Sequence, residues 1–134
     1  MRILIADDEP SARKILSRFM EPLGEVTAVE DGKQCLDAYV EGLDQGRPFD
    51  VILLDIMMPV MNGQETLKAI RELERERKLP YGDEVKVLMV TCLGDTKNVC
   101  EAFFKGQATG YVEKPITLSA LYSALESMGI DVNV

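Results

Sequence analysis

Along the whole chain, short apolar runs alternate with segments whose apolar residues recur at helical spacing. Residues 3–6 form a first apolar run and predict a strand. Ala12, Ile15, Leu16, Phe19 and Met20 follow at helical spacing, and Pro22-Leu23-Gly24 ends that helix. Residues 25–29 predict a second strand, on the faintest apolar signal of the five. Residues 33–44 predict a helix with Leu36, Tyr39, Val40 and Leu43 on one side. Val51, Ile52, Leu53 and Leu54 show no polar alternation, as expected of a strand buried on both faces. A helix near 64–78 turns Leu67, Ile70 and Leu73 inward. Its charged side, including Arg71–Arg75 and Glu74–Lys78 at i,i+4, reads as a solvated face. Residues 85–90 predict a fourth strand and residues near 95–105 a further helix. Tyr111-Val112 anchors a fifth strand. The last helix, over residues 117–128, is expected to bury Leu118, Leu121, Tyr122, Leu125 and Met128.

Five strands alternating with five helices imply right-handed crossovers and a parallel sheet between two helical layers, an α/β doubly wound fold. The expected organisation is a single domain over residues 1–134, without internal repeat, linker or attached output domain. A hydrophobic content of 46% supports a real core. No apolar run approaches the roughly 20 residues of a membrane span, and the first apolar run meets an acidic pair too soon for a signal peptide. A cytoplasmic location is the resulting expectation. Cys35, Cys92 and Cys100 lack metal-site spacing and read as reduced thiols packed as small hydrophobes. The net charge of −8 argues against a nucleic-acid surface and suits cations or basic partners. The absence of histidine excludes Ser-His-Asp and Cys-His catalysis and His-ligated metals.

In a parallel sheet the C-terminal strand ends share one edge, where ligands bind at a switch in strand order. Here those ends carry Asp7-Asp8, Asp55, Thr91 and Glu113-Lys114-Pro115. Each has an ordinary explanation. Asp7, Asp8 and Glu9 precede Pro10-Ser11 and suit a helix cap, Asp55 suits a strand end, Thr91 a loop cap and Lys114 a solvated surface. Together they suggest more. Three neighbouring carboxylates repel unless a cation sits among them, and such oxygen ligands suit a hard ion such as Mg²⁺. A threonine and a lysine beside that ion are suited to bind phosphate oxygens.

The segments ILIADDEPSARKIL, DVILLDIMMPVMNGQETL, VLMVTC and GYVEKP together resemble the receiver domain of two-component response regulators, over essentially the whole chain and in order. The resemblance implies a flavodoxin-like fold with strand order 2-1-3-4-5, the order known for chemotaxis receivers. It implies that Asp55 is a phosphoacceptor, an already ionised carboxylate that needs no general base. It further implies Mg²⁺ (or Mn²⁺) held by Asp8, Asp55 and the backbone carbonyl of Met57, with Asp7 acting through water. Lys114 would pair with one phosphoryl oxygen and Thr91 with another. Pro59 and Gly63 would shape the loop after the nucleophile, and Lys114-Pro115 would be cis. Thr91 and Tyr111 would form the switch. The expected donor is a sensor histidine kinase or a His phosphotransfer protein, acting in trans. The expected output is a downstream protein bound on the surface of the helix near 95–105, the fifth strand and the last helix, where Phe103, Phe104 and Tyr122 are available. Neither nucleic acid nor membrane is an expected partner. Slow self-phosphorylation and slow autodephosphorylation are the only enzymatic traits implied. Met57 and Leu93, the side chains flanking the path of a hydrolytic water, are both apolar.

Two departures stand out. Gln107 precedes Ala108 where the family often has Gly, with Gly106 one place earlier, and Cys92 is bulkier than the usual Ala or Gly and is expected to narrow access to Asp55. Two other functions fit less well. A haloacid-dehalogenase-like phosphatase also uses an aspartate after a buried strand, but wants a second aspartate where Met57 stands. A flavodoxin-like carrier wants a phosphate-cradling loop where Asp7-Asp8 would repel a flavin phosphate.

Overall fold

The computed structural model describes residues 1–92 and 108–133. Its elements are β1 (Arg2–Ala6), α1 (Pro10–Met20), β2 (Glu25–Val29), α2 (Gly32–Asp44), β3 (Val51–Asp55), α3 (Gly63–Glu76), β4 (Lys86–Thr91), β5 (Gly110–Glu113) and α4 (Leu118–Ser127). All strand pairs are parallel, in the order β2-β1-β3-β4-β5. Class, order and five strands match the sequence expectation. The described residues contain four α-helices; the helix expected near 95–105 lies outside them, as do Leu93, Cys100, Phe103, Phe104, Gly106 and Gln107.

Alternation along the strands divides the core between the two faces of the sheet. Leu4, Ala6, Ile52, Leu54, Val87 and Met89 pack with Cys35, Tyr39, Leu67 and Ile70 of α2 and α3. Ile3, Ile5, Leu53, Leu88 and Val90 pack with Leu16 and Met20 of α1 and with Leu121 and Leu125 of α4. Every residue of β3 is buried, as a central strand covered on both faces must be. Each fully buried Leu or Ile contributes about 1.5–3 kcal/mol. Truncating one on β3, such as Leu53→Ala, costs about 2–5 kcal/mol through lost transfer energy and a cavity.

Side-chain orientation departs from the sequence reading in four places. Glu74 is not part of a solvated face. It is buried, and its carboxylate accepts from the Tyr39 hydroxyl and the Val85 N–H, each at 2.7 Å, and pairs with Arg71 at 2.6 Å. It thereby ties α2, α3 and the start of β4 together. On α2 the buried positions are Gly32, Cys35, Tyr39 and Gly42, with Leu36, Val40 and Leu43 only partly covered. The small residues let the helix settle closely: a Cβ on Gly42 would lie 2.9 Å from the Arg47 carbonyl. Leu118 is 45% exposed because Thr117 caps α4 and leaves Leu118 in its first turn. Cys92 is exposed where β4 has ended, whereas Cys35 is packed as expected, with burial pushing its thiol up to about 12.

Candidate functional site

Strand register assembles the polar edge. Ala6 pairs with Leu54, Asp55 with Val90, and Thr91 with Glu113. The residues that follow each strand, or end it, therefore stand side by side: Asp7 and Asp8, then Asp55, then Thr91, then Lys114. Ligand oxygens of Asp7, Asp8 and Asp55 all lie within 4.8 Å of one another. Asp7 and Asp55 are buried and Asp8 is exposed, since successive residues leave a strand in opposite directions.

The Lys114 ammonium reaches into this cluster, 3.0 Å from Asp7 Oδ2, 3.5 Å from Asp55 Oδ2 and 3.9 Å from Glu9 Oε2. The Lys114 N–H donates to the Thr91 carbonyl at 2.7 Å, and the Lys114-Pro115 bond is cis, as the resemblance implied. Thr91 is buried, and its hydroxyl donates to the Cys92 carbonyl at 3.3 Å. Among the described residues, the three carboxylates of Asp7, Asp8 and Asp55 face the single ammonium of Lys114, which leaves the site net negative. Burial pushes the Asp55 carboxyl up to about 6, and the charge of Asp7 adds to this, while Lys114 and the Met57 N–H act against it. For Lys114, partial burial works downward, but the hydrogen bond and charge of Asp7 and the charge of Asp55 prevail and raise it. A set of carboxylate oxygens at this spacing, one of them on exposed Asp8, suits a small hard cation that would relieve the repulsion.

The loop after Asp55 is fixed from several sides. Asn62 caps α3 in a reciprocal capping box with Glu65. The Gly63 N–H donates to the Ile56 carbonyl at 2.8 Å, and a Cβ on Gly63 would collide with the Asp55 carbonyl. Gly32 lets the start of α2 press on the Met61 carbonyl and the Thr66 side chain. Within this loop Val60 holds φ 68°, a left-handed conformation disfavoured for a β-branched residue. Met57 is 64% exposed on the rim and Tyr111 46% exposed on β5.

The structure thus brings together Asp7, Asp8, Asp55, Thr91 and Lys114, and puts Met57 beside them. Tyr111 stands apart, facing outward. Two contributors escaped the sequence reading. Glu9, whose place before Pro10 suggests a cap, makes no side-chain cap and instead approaches Lys114. Arg13 donates to the Asp7 carbonyl at 2.8 Å, a bond made possible by its place in the first turn of α1.

The family model described as the response regulator receiver domain matches residues 3–126. The chain is 35% identical over 135 residues to the chemotaxis protein CheY of Pseudomonas aeruginosa, covering 99% of each. It is 32% identical over 127 residues to hybrid signal transduction histidine kinase I of Dictyostelium discoideum, covering 94% of this chain but only 7% of that protein. Among solved structures, Vibrio cholerae chemotaxis protein CheY4 matches with a TM-score of 0.75 and 29% identity, over 95% of this chain and 97% of the other.

Proposed function

The chain belongs to the response regulator receiver family, and from that premise we propose that Asp55 accepts a phosphoryl group with the help of a divalent cation. The observation that carries this reading is the buried Asp55 carboxylate set between two further carboxylates and the Lys114 ammonium. A carboxylate oxygen attacks phosphorus, the bond to the donor breaks, and an aspartyl phosphate forms with no proton to remove. Mg²⁺ (or Mn²⁺) would be held by Asp8, Asp55 and the Met57 carbonyl, with Asp7 reaching it through water. Asp7 suits that indirect place because its oxygens already take the Glu9 N–H at 2.9 Å and Lys114 at 3.0 Å. The bound cation supplies charge neutralisation for phosphoryl oxygens.

Lys114 needs only a small movement to trade a carboxylate for a phosphoryl oxygen. The Thr91 hydroxyl, held by a long bond to a neighbouring carbonyl, is free to turn toward another. Drawing the Thr91 loop inward opens space into which the outward Tyr111 ring turns, which changes the surface beside β5 and α4 that a downstream protein binds. The donor is a histidine kinase or His phosphotransfer protein, the kind of protein in which one relative carries its matching segment. This chain acts in the cytoplasm. Among its described residues no helix is long and apolar enough to cross a membrane. The chain acts as one domain. Intrinsic phosphorylation by small donors and intrinsic hydrolysis are slow.

Acetyl phosphate with Mg²⁺ tests the assignment. Wild type should gain one base-labile phosphoryl group, located at Asp55 by mass spectrometry, and EDTA should abolish it. A full equivalent of label on the Asp55→Asn variant would overturn it.

A further inference from the structure

At the opposite edge of the sheet, where β3 and β4 begin, lies a groove of about 420 Å³ that the carboxylate site does not use. Its apolar lining includes Phe49, Leu79 and Val85, and its polar lining includes Asp50, Asp83 and Glu84. The volume falls in the range of functional pockets, whose apolar walls bind while a few polar groups orient. One wall is the loop between α3 and β4, which is built by its own bonds. The Asp83 N–H donates to the Pro80 carbonyl at 2.9 Å, the Gly82 N–H donates to Glu84 at 3.0 Å, and Gly82 takes φ 93°. Beside Gly82, Tyr81 is fully exposed, with its whole ring in solvent. A preorganised loop loses little freedom on binding, and an exposed tyrosine is a frequent anchor at interfaces.

Charge selects the occupant. Among the described residues, the carboxylates of Asp50, Asp83 and Glu84 line the groove against the ammonium of Lys86. The nearby Arg2 guanidinium, 4.2 Å from the centre of the Phe49 ring, shares Glu25 (3.9 Å) with Arg47 (3.1 Å), so this corner adds one net positive charge and does not cancel the groove's carboxylates. The groove is therefore net negative, on a chain of net charge −8. An apolar floor under an acidic rim fits a side chain with a long apolar stem and a cationic head. We propose that this groove is a second docking surface, taking an extended basic segment of a partner protein in which Arg or Lys stands beside an apolar residue. Tyr81 packs on the partner, the Arg or Lys stem lies along half-buried Leu79, and its head meets Asp83 and Glu84.

The test is a titration of the ¹⁵N-labelled full chain with the peptide Ac-Leu-Arg-Lys-Phe-amide and its charge-reversed counterpart Ac-Leu-Glu-Asp-Phe-amide. The basic peptide should shift the amide signals of Phe49 and residues 79–86, and added salt should weaken the effect. Asp83→Asn with Glu84→Gln should weaken binding by about threefold or more, and Tyr81→Ala by about fivefold. All three positions are exposed and glutamine at 84 keeps an acceptor for the Gly82 N–H, so these variants keep the fold. An equal response to both peptides, no response, or shifts centred on Asp7 and Asp8 would each overturn the proposal. So would agmatine matching the peptide, which would make the groove a small-amine site. Self-association on sedimentation that Tyr81→Ala abolishes would instead assign the groove to a second copy of this chain.

Discussion

Replacing Asp55 by asparagine should stabilise the metal-free protein. Asp55 surrenders its proton only near 6, against an ordinary value of 3.8, because burial and the charge of Asp7 oppose ionisation. At about 1.36 kcal/mol per pH unit, that gap destabilises the ionised fold by about 3 kcal/mol at neutral pH. The cluster opens to water on the side of exposed Asp8, so screening reduces the figure to about 1.5 kcal/mol. Asparagine keeps the shape without the charge, and for a chain of this size the gain corresponds to a rise of about 5 °C in the unfolding midpoint. The pH dependence has a definite sign. Because the folded value is raised, the folded state holds a proton that the unfolded chain has released between about pH 4 and 6. Wild type should therefore lose stability relative to the variant as pH rises through that window. The two should coincide below pH 4 and differ most above pH 6. Urea denaturation in EDTA at several pH values measures this difference and cancels effects common to both proteins. Saturating Mg²⁺ should narrow or invert the order, since it binds the intact carboxylate cluster. A variant no more stable than wild type at pH 7 in EDTA, or an advantage undiminished at pH 4, would refute the reasoning.

Glu74→Ala should cost about 3–5 kcal/mol in urea denaturation, because the Tyr39 hydroxyl, the Val85 N–H and Arg71 lose a shared buried partner. Glu74→Gln, which keeps an acceptor, should cost clearly less. Val60→Asn should raise stability by about 1 kcal/mol, since asparagine tolerates the left-handed backbone that valine resists; an unchanged thermal midpoint would count against strain there. The family resemblance implies that positions 57 and 93 flank the hydrolytic water, so Met57→Asn combined with Leu93→Glu should speed loss of the aspartyl phosphate several-fold by orienting that water. Decay of label after removal of the phosphodonor measures this, and equal rates would remove the idea.

The fold was legible because its strands are extreme. Val51, Ile52, Leu53 and Leu54 are apolar in succession, which only burial on both faces explains. The weaker β2 has the faintest apolar signal of the five strands, and it begins directly after Pro22-Leu23-Gly24. The site followed from topology, since a parallel sheet puts its C-terminal strand ends on one edge before any side chain is located. What failed was helical phase. Glu74 follows Leu67 and Ile70 by seven and four residues, so it continues their inward stripe; the pairing pattern with Lys78 hid that periodicity. On α2, large apolar residues suggested one face, but Gly32, Cys35 and Gly42 define the closer contact because small residues permit it. The approach of Glu9 to Lys114 depends on a lysine far along the chain, and no local pattern encodes it.

The distribution of the site along the chain has a consequence for the order in which the protein is made. Asp7, Asp8 and Asp55 are all made before Lys114, which directly follows β5. Until β5 docks, a nascent fold holds gathered negative charge without the Lys114 ammonium, and Arg13 is engaged at the Asp7 backbone carbonyl. By charge alone, Lys114 favours docking of β5 against the carboxylate cluster. In that interval a divalent ion is the natural substitute for the missing ammonium. The same chemistry that suits the finished protein to phosphoryl transfer would then have served first as a chaperone of its own assembly.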